Sequence, residues 1–597
     1  EAMVVTLDAT SGVEVGTEFA TEYAAEYGLP MAFYVNKMDK ERADFEKTLQ
    51  SLKDELNIRA LPLTLPAGKE DSFSGVVDLI RMKLVKEENG KQTTGPIPDD
   101  MKEQAEAAHA ELVETAAEGD DELTMKFLDE EELTTEEILR GLKEGFQEKR
   151  FCPVFCGSAV KGLGVFPLAN FFVQCCPTPA EGEVWKAGKS GSDEEIEVPC
   201  DDSKPVAAFV FKTISDPYAG KISFIRMISG ALKSDSNLIN VQRQKDQKIP
   251  HVYIMRGKEH DDIHQIHAGD IGILVKLDET NTNDTLSDPA FQVEFEPTSL
   301  PTKTTQMALK VGSKSDEEKI GMAVHRLMEQ DEALNIHRDP EIKQTIISGM
   351  GDTHLDVAVS RLKSMSNVSD VELVEPRIPY RETITRKAEG NYRHKKQTGG
   401  RGQFGEVWLR LEPLKDPENE YEFSWEVVGG NIPTKFQGSV EKGIVEAMEK
   451  GILAGYKVVN IKTACFDGKH HPVDSSDMAF KTAASMGFRQ VARQAKPIIL
   501  EPIYKLTVTV PENYMGDVMG DLSGKRGKIQ GNSSSNNKVT IEALVPLVEV
   551  FTYSRDLRSM TQGRGVFEME FVNYEATPPN LQEKIIEEAQ KQKEEKE

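Results

Sequence analysis

The sequence predicts a multidomain chain of mixed α/β and α+β class, and three observations carry that expectation. Apolar runs of buried-strand type alternate with helical stretches in the first 180 residues, the pattern of a parallel sheet. Period-two stretches broken by Gly, Asp and Asn fill 206–295, where helical periodicity is absent. A strand–helix–strand–strand–helix–strand order then occurs twice, over 304–376 and 502–575. At 597 residues the chain has room for about three to six domains.

Taken in order, residues 2–7 (Ala-Met-Val-Val-Thr-Leu) form a continuous apolar run that predicts a strand buried on both faces. A helix is predicted over about 14–27, a second buried strand over 30–35 and a third over 151–155. Between them, about 60–148 is expected to be an acidic, largely helical insertion. Residues 101–150 carry 16 Asp/Glu against 6 Lys/Arg, the composition of a solvated helical face. The stretches 206–211, 222–228 and 271–275 predict a small antiparallel barrel. The first repeated unit reads as strand 306–311, helix 316–330, hairpin 334–348, helix 353–364 and strand 371–374. The second reads as strand 505–510, helix 513–523, strands near 528–530 and 538–544, helix 546–559 and strand 566–572. Both match a ferredoxin-like sandwich. Residues 379–500 combine alternating strands with amphipathic helices over about 434–451 and 476–495. The charged tail 580–597 is helix-prone, shows no apolar stripe and is expected to be solvated.

Composition excludes some classes. With 38% hydrophobic and 29% charged residues the chain supports several cores and is not mostly disordered. No stretch reaches the roughly 18 apolar residues of a helical membrane span. Cys152, Cys156, Cys175, Cys176, Cys200 and Cys465 lack the density and spacing of a disulfide framework, so buried structural thiols and a reducing, cytoplasmic setting are expected. The net charge of −28 opposes general polyanion binding. The charge is uneven, however: 376–410 holds nine Lys/Arg and three Glu, so one basic segment can still face phosphates. Glu1 leads straight into an apolar strand, and the chain is expected to be a fragment or a processed form.

The chemistry sits in short motifs. Asn36-Lys37-Met38-Asp39 follows the strand predicted at 30–35. A carboxylate there accepts two hydrogen bonds from guanine, at N1–H and the exocyclic amine, whereas adenine leaves it unpaired. The aliphatic stem of Lys37 can lie over the base, and Asn36 can bond its edge. Gly157-Ser158-Ala159 follows strand 151–155, and the Ala159 N–H can donate to guanine O6. In a parallel sheet, ligands bind beyond the carboxyl ends of strands, where both motifs fall. The two together point to a guanine pocket. No Gly-x-x-x-x-Gly-Lys-[Ser/Thr] loop occurs in the sequence, so the chain as given is expected to hold a base without cradling phosphates.

Gly400-Arg401-Gly402-Gln403-Phe404-Gly405 fits a dinucleotide fingerprint in spacing only. Basic residues precede it and an alternating strand follows, so a dinucleotide oxidoreductase is rejected. A glycine-rich loop beside Lys395, Lys396 and Arg401 fits approach to RNA phosphates better. In His470-His471-Pro472-Val473-Asp474-Ser475-Ser476-Asp477, Asp474 or Ser475 is expected to cap the helix starting near 476. The loop lacks the ligand spacing of a zinc site, and no metal site is assigned. Its hydroxyls and imidazole suit a probe inserted into grooved RNA.

On these residues the sequence resembles bacterial elongation factor G, the translational GTPase that drives tRNA–mRNA translocation. The resemblance rests on the two guanine motifs, Tyr380-Arg381-Glu382-Thr383-Ile384, the 397–405 loop, Val473-Asp474-Ser475-Ser476, Tyr514-Met515-Gly516-Asp517-Val518 and the 556–565 segment. The stretch 12–18 and His471-Pro472-Val473 look like a second, elongation-factor-G-like paralogue type. The resemblance implies a partial P-loop-type GTPase domain over 1–180 with the insertion 60–148, and a barrel domain II over 203–297. It further implies ferredoxin-like domain III over 303–376, elongated domain IV over 379–500, ferredoxin-like domain V over 501–576 and a charged tail over 577–597. GTP or GDP would be held through Asn36, Lys37, Asp39, Ser158 and Ala159, with Mg2+ only in the intact protein. Ribosomal RNA, ribosomal proteins and the tRNA–mRNA at the decoding region would be partners of a monomer. The domain IV tip implied for that contact comprises Lys395, Lys396, Arg401, Gln403, His471, Asp474, Ser475 and Ser476. The family's phosphate loop, switches and catalytic histidine precede the point where this chain starts, so no catalytic residue is assigned. The alternative expectation is a non-hydrolysing ribosome-binding paralogue acting in recycling or protection.

Overall fold

The computed structural model describes residues 1–88, 91–129, 131–192, 194–216, 220–300, 303–396, 402–414, 420–535 and 537–594. The chain divides into two units, Glu1–Ser299 and Leu300–Glu597. No helix among the described residues is long and apolar enough to cross a membrane.

The first unit begins with a parallel sheet in the order Met3–Asp8, Met31–Asn36, Cys152–Cys156 and Ala60–Pro62. The central strands bury Phe33, Val35, Val154 and Phe155, each contributing about 1.5–3 kcal/mol of apolar burial. Helix Val15–Glu26 follows the first strand, and Phe45–Leu56 starts at Asp44, whose carboxylate accepts from the Lys47 N–H. Two expectations need correction. The strand Met3–Asp8 lies at the sheet's edge and exposes Val4 and Thr6, burying only Val5 and Leu7; its apolar run marks one covered face. The insertion is also not largely helical throughout. Ala60–Pro62 belongs to the central sheet, and Thr64–Ala67, Gly75–Asp78, Lys83–Glu88 and Lys91–Gly95 form an antiparallel sheet. Among the described residues of the insertion the α-helices are Lys102–Ala117, Asp121–Leu128 and Thr135–Gln147, the last opened by a Thr134–Glu137 capping box.

Burial pushes the Cys156, Cys175 and Cys465 thiols up to about 12. At about pH 8 their thiolate fraction is roughly one in ten thousand. Iodoacetamide is therefore expected to leave these three unlabelled in the native protein while half-buried Cys200 reacts, read by peptide mass spectrometry. Labelling of Cys156 before unfolding would contradict the packing described.

The barrel portion is an eight-stranded antiparallel sheet whose middle strands are Ala207–Asp216 and Gly220–Ser229. Register shifts at Ala207/Ala208 and Val210/Lys212 bend the first of these. Strands from all around the sheet feed one core of Ala208, Val210, Ile225, Met227, Leu238 and Leu274. A small sheet of Trp185–Lys189, Glu195–Val198 and Val293–Glu294 packs Trp185 against Phe295, an element the sequence patterning did not indicate.

The second unit opens with a sheet ordered Asn335–Asp339, Gln344–Gly349, Thr305–Val311, Val371–Val374, the ferredoxin-like arrangement, with helices Lys314–Gln330 and Asp352–Ser366. The later sandwich repeats it with Lys528–Ser535, Lys538–Pro546, Pro497–Pro511 and Val566–Ala576. Its second helix begins only at Tyr553, because a tight turn over Leu547–Glu549 comes first. Between the sandwiches, Ala388–Lys396, Gln403–Pro413, Ile461–Lys469 and Tyr421–Trp425 make a sheet covered by helices Gln437–Glu449 and Asp477–Gln494. The 15-residue strand Pro497–Pro511 pairs first with Arg381–Ile384 and then with the sandwich, so one strand joins the two bodies. The tail is a third correction. Helix Pro579–Glu594 is docked, with Ile585 buried beside Ala454 and Ile499, and Ile586 and Ala589 packed against the same cluster. Leu581, Ile585, Ile586 and Ala589 recur at helical spacing among the charges, a short stripe that the surrounding Glu and Lys residues masked in the sequence.

Candidate functional site

The first candidate site lies where the parallel strands end. Asp8 and Asn36 are register partners at the carboxyl ends of neighbouring strands, and Cys156 pairs with Val35 on the next strand. The two motif loops are stitched by backbone bonds: Gly157 N–H donates to Val35 O at 2.9 Å, and Met38 N–H donates to Gly157 O at 3.1 Å. A Cβ at position 157 would lie 2.1 Å from the Tyr34 hydroxyl oxygen and 2.3 Å from Leu163 O, so only glycine lets the loops approach. Lys37 is held in the left-handed region at φ 64°. Its ammonium donates to Asp8 Oδ2 at 2.5 Å, a bond that raises the lysine above its usual value.

Asp39 is half-buried at the rim. The Ser158 hydroxyl donates to it and holds its carboxyl below the usual carboxylate range. Ser158 itself is buried and exchanges backbone bonds with Leu163 at 2.9 and 3.0 Å. Ala159 is exposed, and its N–H donates to Asn36 Oδ1 at 2.9 Å. The donor expected for a base carbonyl is thus engaged by Asn36, so a bound base has to take that bond over. Among the described residues the Asn36 side-chain amide N–H has no protein partner. An ionised carboxylate, an amide donor and an exchangeable backbone N–H at one rim fit the edge of guanine.

The second candidate site is the end of the α+β body. Ala388–Lys396 and Gln403–Pro413 are antiparallel, with Lys396 opposite Gln403. The two strands pair as antiparallel neighbours on either side of residues 397–401, which lie outside the described residues. Arg401 lies outside the described residues. Loop 471–476 is tied to this hairpin: Gly402 N–H donates to Asp474 Oδ1 at 3.1 Å, Phe404 N–H to Asp474 O at 2.9 Å, and Ser475 Oγ to Phe404 O at 2.9 Å. His471 N–H donates to Ser475 Oγ at 2.8 Å, and the His471 ring lies 6.2 Å from that of Phe404. The helix cap is Ser476, accepting from Ala479 N–H at 3.2 Å; Asp474 and Ser475 are spent on the hairpin instead.

The basic segment 376–410 resolves into two kinds of cation. Arg381 pairs with Glu341 and Glu420, Lys387 with Glu389 and Glu412, Arg393 with Glu406, and Arg410 with Glu426. Lys395 and Lys396 are exposed and have no ion-pair partner among the described residues. Among the described residues exposed Arg377 and Arg386 also have no ion-pair partner, so Lys395 and Lys396 are the unpaired cations at the hairpin end of the segment.

Comparison with known proteins decides what carries these sites. Five family models match successive segments of the chain. They are the Elongation factor Tu GTP binding domain over 1–178, Elongation factor G domain 2 over 205–289, Elongation Factor G domain III over 300–373, Elongation factor G domain IV over 376–496 and Elongation factor G C-terminus over 498–585. The crystal structure of ttk003000868 from Thermus thermophilus is similar over 99% of this chain and 86% of that one, at 34% identity and TM-score 0.73. The chain belongs to the elongation factor G family. It is thus a member of the translation elongation factor GTPases, with guanine nucleotide binding the property of its GTP binding domain. Both motif loops fall in that matched domain, and the hairpin with loop 471–476 falls in elongation factor G domain IV.

Proposed function

We propose that this elongation factor G family chain acts in the cytoplasm as a monomer on the ribosome, in GTP-dependent movement of tRNA and mRNA. Guanine is read by Asn36, Lys37, Asp39, Ser158 and Ala159. The tip built from Lys395, Lys396, Arg401, Gln403, His471, Asp474, Ser475 and Ser476 enters RNA of the small-subunit decoding region. The observation that carries this reading is the tip: the hairpin strands and loop 471–476, about 70 residues apart, are bonded together, with Lys395 and Lys396 exposed and without an ion-pair partner among the described residues. Lys395 and Lys396, exposed and without an ion-pair partner among the described residues, are available to phosphates. Bound GTP brings its phosphates and Mg2+; the residues named here hold the base.

Pelleting with ribosomes tests this. Binding is expected to fall steeply with salt, and Lys395→Ala with Lys396→Ala to weaken it and lower the log–log salt slope by about two. Equal pelleting by the double variant at all salts would remove the tip from the contact. A non-hydrolysing role in ribosome recycling or protection is the second reading, favoured by the paralogue-like stretches 12–18 and 471–473. Ribosome-stimulated GTP turnover supports the first reading; ribosome binding without turnover supports the second.

A further inference from the structure

We propose that Asp8 is a positioning residue of the guanine pocket, fixing Lys37 so that its aliphatic stem forms a preset wall for the base. The inference rests on the guanine reading above. Asp8 closes its strand directly opposite Asn36. Both of its oxygens are occupied: Oδ1 accepts from Thr10 N–H at 3.0 Å and Thr10 Oγ1 at 2.8 Å, while Oδ2 accepts from Lys37 Nζ at 2.5 Å. The carboxylate cannot turn without breaking these bonds. The lysine backbone is equally fixed, left-handed at φ 64° and followed by the Met38 bond to Gly157.

A side chain held at its Cα and at its Nζ has little rotamer freedom left. Its four methylenes must bridge two neighbouring strand ends, which stand about 5 Å apart. An unanchored lysine has many rotamers and loses them when a base lies on it; here the loss is already taken when the protein folds. Asp8 touches no part of the base in this arrangement. Its effect passes wholly through Lys37, so it strengthens binding of any purine laid on the stem. Selection of guanine stays with Asp39.

The test uses the full chain and the isosteric variant Asp8→Asn, with affinities for GDP and ADP measured by competition against a fluorescent nucleotide. Asp8→Asn is expected to weaken GDP binding about three- to tenfold while leaving the GDP/ADP ratio unchanged. In a Lys37→Met background the same substitution is expected to change nothing further. Lys37 acetylation by an amine-reactive ester, followed by mass spectrometry without nucleotide, is expected to speed up in Asp8→Asn. Unchanged GDP affinity and unchanged Lys37 reactivity would overturn the inference. So would an equal loss in the Lys37→Met background, which marks a purely structural role. If the parent chain shows no preference for GDP over ADP, the guanine reading itself fails, and this inference falls with it.

Discussion

Replacing Glu382 by glutamine is expected to destabilise the Leu300–Glu597 unit by about 3–5 kcal/mol. The Glu382 carboxylate is fully buried and accepts five backbone N–H groups: Ile452 at 2.5 Å, Leu453 at 2.8 Å, Ala454 and Gly455 at 2.9 Å, and Tyr456 at 3.1 Å. Those donors belong to the tight turn after helix Gln437–Glu449, where Gly451 and Gly455 have φ of 72° and 95°. The amide of a glutamine replaces one acceptor oxygen by a donor that faces other donors, so several buried N–H groups lose partners together. The damage spreads because Leu453, Ala454 and Tyr456 form the bed for the tail helix through Ile585. Denaturant unfolding followed by the fluorescence of Trp408 and Trp425 checks this. A change below about 1 kcal/mol would show that the turn does not depend on the charge.

Asp39→Asn is expected to reduce GDP affinity at least about a hundredfold while strengthening binding of xanthosine diphosphate. The reasoning is one of hydrogen-bond polarity. A carboxylate accepts from the N1–H and amine of guanine; an amide instead offers a donor, which the C2 carbonyl of xanthine accepts. The Ser158 hydroxyl holds the Asp39 carboxyl below its ordinary range. Guanine binding through it is therefore complete at neutral pH and is lost only as pH falls through that lowered value. Competition titrations with GDP and xanthosine diphosphate measure the switch. An unchanged GDP affinity would place the base elsewhere.

What was legible in the sequence follows from how local each signal is. The buried strands Met31–Asn36 and Cys152–Cys156 are contiguous apolar runs, so the motif loops at their ends could be placed on one sheet edge without coordinates. Both ferredoxin-like units show their order because each element carries its own period. The sheet over 64–95 was hidden because its apolar content comes in pairs such as Val76 and Val77, between charged turns. Exposure of Val4 and Thr6 was hidden because an apolar run does not say how many of its faces are covered. The partners of Glu382 and of Asp8 are invisible to patterning for a different reason. They are backbone N–H groups 70 or more residues away and a lysine in the loop after the neighbouring strand, which only the fold brings near.

The tip also shows how residue types can be recognised while their roles are exchanged. Ser476 caps the helix, and Asp474 and Ser475 bind the hairpin. A helix cap and a loop clamp call for the same small oxygen-bearing side chains, so spacing alone cannot divide the work.

The most direct measurement of the central claim is hydroxyl-radical cleavage from an iron chelate tethered at Val473→Cys, an exposed tip position, with the chain bound to ribosomes. Cleavage confined to small-subunit RNA around the decoding region is the expected result. Strong binding with cleavage elsewhere, or with none, would contradict it.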